Sequence, residues 1–223
     1  AIAPWNFPIA MITRKVAPAL AAGCTIVVKP SEDTPLCALA IAKLALDAGV
    51  PPGVFNVVTT TDAPAVGKVL TDDGRVRKLT FTGSTEVGRM LMQQTAATIK
   101  KVSMELGGND AAIMLPDADP KAMAMGLFWG AFINMGQTCA CAKRLYVHES
   151  IYDATVQALK ELAQAMPMGN GMIDGMVMGP IQNKMQYDKV VDLVESAKKA
   201  GGTIVCGGEP KGGAGYFYPL TLV

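Results

Sequence analysis

Short β-rich runs alternate with longer helix-like segments along this chain, and that alternation limits the folds open to it. "CTIVVK" (24–29) reads as a buried strand, "PLCALAIAKLALDAG" (35–49) as a helix stopped by Gly49 and the prolines after it, and "VFNVV" (54–58) as the next strand. This βαβ unit is extended by "VRKLTFTG" (76–83), a strand running into "STEVGRMLMQQTA", where Ser84 or Thr85 can cap a helix and Glu86 suits its first turn. An α/β fold with an open parallel sheet is expected. After "KKVSMELGGND" (100–110) a new series begins. It runs through strand "AAIML", a helix from about Asp119, strand "RLYVHE", a helix over 151–165, a loop rich in Gly and Met, and a long helix ending at Gly201 and Gly202. The second series reads as a separate domain, with the boundary at Gly107 and Gly108, where a Gly pair lets the chain bend at little cost.

The 223 residues are 50% hydrophobic and 17% charged, a globular balance that can bury a sizeable core. Lys plus Arg 20 against Asp plus Glu 19 leaves a net charge of +1, so no global field favours nucleic acid or anionic lipid. Five cysteines (Cys24, Cys37, Cys139, Cys141, Cys206), odd in number and irregular in spacing, point to reduced thiols and a cytoplasmic setting. His148 is the single histidine, and Cys139-x-Cys141 lacks a second pair, so a metal site is not expected. "AIAPWNFPIA" has no basic leader and carries prolines where an apolar signal core would lie. Without an initiator Met, the chain is expected to begin inside a longer protein.

The uncharged run Ala122–Ala142 is long enough to raise a membrane helix. Its three glycines and the polar Asn134, Gln137 and Thr138 argue instead for a buried helix ending near Met135. Phe128, Trp129 and Phe132 stand at roughly helical spacing on it, more readily as core than as a substrate entrance.

Several short motifs could carry chemistry. "FTGSTEVG" lies where a strand gives way to a helix, a place that suits a phosphate, and equally a tight turn with close helix packing. "VVKPSE" sets Lys29 and Glu32 beyond a strand's carboxyl end, the edge at which open α/β sheets bind ligands. Glu32 there would accept from ribose hydroxyls and repel a 2′-phosphate, although such residues are more often a solvated turn. In "APWNFP", prolines on both sides hold Asn6 rigidly, as a donor to an oxyanion or as a brace for its own loop. Glu105 in "MELGG" follows an apolar strand and fits either a general base in an apolar site or an ordinary strand-end carboxylate.

Taken in order, "PWNFP", "KPSEDTP", "FTGSTEVG", "MELGGND" and "GQTC" resemble the aldehyde dehydrogenase superfamily, through essentially the whole chain. The resemblance implies a Rossmann-like, parallel-sheet part of an NAD-binding domain over 1–107 and part of an α/β catalytic domain over 108–223, incomplete at both ends. It implies Cys139 as nucleophile, Glu105 as the base that activates a deacylating water, and Asn6, with the backbone N–H of Cys139, as the oxyanion hole. Lys29 and Glu32 match residues at the adenosine ribose, Gly83 and Ser84 those near the pyrophosphate, Trp5 the cofactor cleft, and Leu106 and Gly107 the segment passing the nicotinamide. The implied cofactor is NAD, with NADP disfavoured by Glu32. The implied partner is a small aldehyde, with neither nucleic acid nor membrane, and the full-length protein is expected as a homodimer or homotetramer.

The chemistry so implied is attack of a thiolate on an aldehyde, hydride loss to NAD, and hydrolysis of the resulting thioester. Cys141 has no part in it and reads as a small core or near-site residue. Two alternatives remain: a coenzyme A acylating relative, against which Glu105 argues, and a fold relative without turnover, against which the joint presence of Cys139, Glu105 and Asn6 argues.

Overall fold

The computed structural model describes residues 1–210 and 212–223. Its contacts divide the chain into two compact units, Ala1–Gly107 and Gly108–Val223.

The first unit opens with α1 (Pro8–Ala21), where Pro8 sits in the first turn, the place where a missing N–H costs nothing. Ile12, Lys15 and Val16 form its buried stripe, at the spacing of one helix face. Two parallel strand pairs follow: β1 (Ile26–Val28) with β2 (Phe55–Val57), and β3 (Lys78–Thr82) with β4 (Lys101–Glu105). Helices α2 (Pro35–Asp47), α3 (Ala63–Asp72) and α4 (Thr85–Ala96) lie between successive strands. Ala1–Ala3 joins the pairs. Ile2 bridges in parallel to both Lys29 and Phe81, donating to the Thr80 carbonyl at 2.9 Å and accepting from Thr82 N at 3.2 Å. On the other side, Lys29 N donates to Ala1 O at 2.8 Å and Ala3 N to Lys29 O at 3.0 Å. The result is one parallel arrangement in the order β2, β1, Ala1–Ala3, β3, β4.

Two apolar clusters hold this unit. One gathers Ile12, Val16, Val28, Ala38 and Phe55; the other gathers Leu70, Leu79, Phe81 and Leu91. Burying a side chain such as Leu79 contributes about 1.5–3 kcal/mol, and truncating it to Ala would cost roughly 2–5 kcal/mol once the cavity is counted.

In the second unit, β5 (Asp110–Met114) and β6 (Ala142–Val147) pair in parallel around a crossover through α5 (Pro120–Phe132). Asp119 caps α5, its carboxylate accepting from Lys121 N at 2.9 Å and Ala122 N at 3.3 Å. Helix α6 (Tyr152–Ala165) follows, then the loop over 166–183 and α7 (Lys184–Lys199), which ends on Gly201 at φ 87°, a left-handed position glycine takes without strain. Phe128, Leu159, Ala163, Met178 and Leu220 form one core cluster, and Ile181, Val194 and Tyr218 another.

The structure corrects the reading of the uncharged run. The α-helix stops at Phe132, before Met135, because Asn134 and Met135 adopt left-handed conformations at φ 52° and 59°. Nor is it buried all round: Phe128 is core, whereas Met123, Met125 and Trp129 are exposed in this unit. Among the described residues no helix is long and apolar enough to cross a membrane. Helices α1 and α3 had no counterpart in the sequence reading.

Candidate active site

In the first unit, candidate residues collect at the carboxyl ends of the strands. Lys29, 5% exposed, follows β1 directly and donates to Glu32 Oε1 at 2.5 Å. Burial alone would raise the Glu32 carboxyl. The hydrogen bond and charge of Lys29 outweigh it and hold the group below the usual carboxylate value. Glu32 itself remains exposed, so the turn presents a carboxylate braced by a buried ammonium.

Across the sheet, Gly83 and Ser84 link β3 to α4. Gly83 N donates to the Glu105 carbonyl at 3.1 Å, so this N–H extends the ladder and is not offered to a ligand. Ser84 Oγ accepts from Val87 N at 3.3 Å and so caps α4. Glu86 occupies the helix's first turn, where its charge would oppose a phosphate placed directly on the axis. Gly83 therefore has no donor to offer, and the space a Cβ would take there is filled by the Phe81 ring. Gly88 is packed as closely: a Cβ there would stand 2.5 Å from Leu106 Cδ2, so Leu106 is seated on α4. A charged pair thus stands at one strand end and two close-packed glycines beside the other.

Glu105 ends β4 and is exposed, so the apolar enclosure considered for its side chain is not supplied by this unit. Trp5 and Asn6 lie half-buried on the turn between Pro4 and Pro8 that leads into α1. Gly107 closes the unit, exposed, with nothing within 4 Å of a Cβ built on it.

Lys15 was missed in the sequence reading. It is 6% exposed on α1 and its ammonium donates to Thr82 Oγ1 at 2.7 Å and Thr80 Oγ1 at 3.2 Å. Burial, helped by the charge of Arg14, pushes the ammonium down to about 8, with Glu105 pulling the other way. A lysine in the Ile12 and Val16 stripe was the available signal.

In the second unit, Cys139 is half-buried on the segment between α5 and β6. Three successive left-handed residues, Asn134, Met135 and Gly136 (φ 52°, 59° and 73°), turn the chain sharply before it. Thr138 Oγ1 donates to Ile133 O at 3.3 Å, and Gln137 Nε2 to Asn134 O at 3.0 Å. From outside the segment, Gln182 N donates to Gln137 Oε1 at 2.9 Å. Gly108 packs against the nucleophile candidate's backbone, where a Cβ would lie 3.0 Å from the Cys139 carbonyl oxygen. Cys141 is 1% exposed and anchors the segment in the core. Of the three catalytic candidates, Asn6 and Glu105 belong to the first unit and Cys139 to the second.

Comparison with known proteins agrees over the full chain. Succinate-semialdehyde dehydrogenase [NADP(+)] of Escherichia coli strain K12 is 50% identical over 224 aligned residues, covering 100% of this chain and 46% of that protein. The crystal structure of succinate-semialdehyde dehydrogenase from Burkholderia pseudomallei superposes with a TM-score of 0.96 at 47% identity, covering 99% of this chain and 45% of its own. An NAD+ complex of aldehyde dehydrogenase from Bacillus cereus gives a TM-score of 0.94 at 42% identity, with 99% and 45% covered. The chain thus has the fold of these enzymes and spans less than half the length of each. The family model for the aldehyde dehydrogenases matches residues 1–223, and with the five ordered motifs and these likenesses it makes this chain a member of the aldehyde dehydrogenase family.

Proposed function

We propose that these residues belong to an enzyme that oxidises an aldehyde, and among aldehydes a semialdehyde, to the carboxylic acid with a nicotinamide dinucleotide. The observation that carries the reading is the seat of Cys139: a half-buried thiol on a turn fixed at Thr138 and Cys141, with Gly108 of the "MELGGND" motif against its carbonyl.

In this reading the Cys139 thiolate adds to the aldehyde carbonyl. The Asn6 carboxamide and the Cys139 backbone N–H donate to the oxygen that becomes negative. The dinucleotide, when bound, supplies the hydride acceptor that converts the adduct to a thioester. Glu105 takes a proton from the water that cleaves this thioester, which regenerates the thiol and releases the acid. With the dinucleotide bound, Lys29 and Glu32 would hold the adenosine ribose, Gly83 and Ser84 would lie near the pyrophosphate, Trp5 would wall the cleft, and Leu106 and Gly107 would pass the nicotinamide. The exposed negative charge of Glu32 favours NAD over NADP. The buried Lys29 beside it and the NADP(+) in the E. coli relative's name weigh on the other side.

The test is formation of reduced nicotinamide from a panel of aldehydes and semialdehydes, with the organic product identified. Acid formation that is lost in Cys139→Ala supports the reading. Turnover persisting in that variant removes the thiol from the mechanism, and acyl-coenzyme A formed in preference to acid changes the acceptor.

A further inference from the structure

The turn before Cys139 is conformationally expensive. Two of its three left-handed residues, Asn134 and Met135, carry a Cβ, and such a run persists only where surrounding contacts hold it. Most of those contacts lie on the turn's near side: Gln137 N and Nε2 both donate to Asn134 O, and Thr138 Oγ1 donates to Ile133 O. Two come from beyond the cysteine, one of them from Gln182 N to Gln137 Oε1 at 2.9 Å. Lys143, second residue of β6, reaches back so that its Nζ donates to Gly136 O at 2.7 Å. That bond joins the two ends of the segment that carries Cys139. The far end is itself fixed, because Lys143 N donates to Cys141 O at 2.9 Å and Cys141 is buried.

We propose that Lys143 is a positioning residue for Cys139: its ammonium, bound to the Gly136 carbonyl, closes the segment 136–143 and fixes where the thiol stands. Lys143 is exposed and touches neither substrate nor cofactor in this assignment; it acts through the backbone. The inference rests on Cys139 being the nucleophile proposed above.

The test compares the unmodified protein with Lys143→Met, which keeps the stem and removes the donor, and Lys143→Arg, which keeps a cationic donor. Two readouts are taken: the iodoacetamide alkylation rate of Cys139, referenced to the exposed Cys24 in the same sample, and kcat and KM per titrated Cys139 thiol. In Lys143→Met both the alkylation rate and kcat fall about three- to tenfold, the size expected for losing a charge-assisted hydrogen bond at an exposed site. KM for the dinucleotide stays within about twofold, and Lys143→Arg recovers most of both rates. Unchanged Cys139 alkylation in Lys143→Met, or Lys143→Arg as slow as Lys143→Met, overturns the inference. Should Lys143→Met fail to fold, Lys143→Leu, which likewise has no donor, carries the same comparison. If the unmodified protein oxidises no aldehyde, the functional reading fails, while the alkylation comparison still decides the role of Lys143.

Discussion

The Lys15 ammonium donates to Thr82 Oγ1 at 2.7 Å, tying the buried face of α1 to the last residue of β3. Folding brings this lysine down from 10.5 to about 8, so the unfolded chain holds its proton more tightly than the folded one. Below pH 8 both states are protonated and the folded state bears the full cost of the buried charge. Between pH 8 and 10.5 the folded state releases the proton first, and stability rises with pH. Urea unfolding across that window will show this rise in the unmodified protein and a flatter profile in Lys15→Met. Parallel profiles would mean that Lys15 is not the group responsible.

Glu32 sets the sign of the charge offered at the end of β1. Glu32→Ser removes the carboxylate and leaves Lys29 unopposed, so the ratio of kcat/KM for NADP to that for NAD should rise at least about tenfold. The two cofactors measured side by side in both proteins check this. An unchanged ratio would place the 2′-phosphate elsewhere.

At Gly83, a Cβ would overlap the ring of Phe81, which is buried among Leu79 and Leu91 and has little room to give. Gly83→Ala is expected to destabilise the protein by about 1–3 kcal/mol, read from the shift in urea midpoint.

Gly108→Ala acts differently. Its Cβ would meet the Asp110 carboxylate at 2.7 Å, which can swing aside, and the Cys139 carbonyl at 3.0 Å, which can move only with the cysteine. The expected outcome is a kcat lowered by about tenfold or more with stability lost by no more than about 1 kcal/mol. Activity equal to that of the unmodified protein would show that the Cys139 backbone tolerates the displacement.

Much of this architecture was legible because its signals are local. Ser84 with Val87 and Asp119 with Ala122 are caps a reader can find from residue type and spacing, and β3 and β4 carry enough β-rich residues to declare themselves. Helix α1 was hidden by its setting, since "PWNFP" precedes it and Pro18 interrupts it. Helix α3 is ten residues long and contains Gly67, a poor helix former, in its interior. The end of α5 was placed too late because nothing in "FINMG" announces that Asn134 and Met135 will turn left-handed ahead of Gly136. Residue type and setting marked Glu105 and Asn6 as chemically capable, and the family resemblance singled out Cys139 among the five cysteines. What was not legible is which partners these residues meet: Lys15 stands out in the Ile12 and Val16 stripe, but its bonds to β3, the contact of Gly108 with the Cys139 carbonyl and the bond of Lys143 to the Gly136 carbonyl depend on how the chain turns.

Ile2 serves as backbone partner to β1's end and to β3 at once, and this has a kinetic reading. The β1–β2 and β3–β4 pairs each close over a single helical crossover, and so does Ile2 onto Lys29 at the end of β1, whereas the join of Ile2 to β3 spans far more of the sequence, the kind of closure that comes late in folding. The amides of Ile2 and Thr82, which make that join, should then gain protection from hydrogen exchange after the ladders on either side. In a slowly renaturing sample these two would mark the moment at which two independent ribbons become a single cooperative sheet.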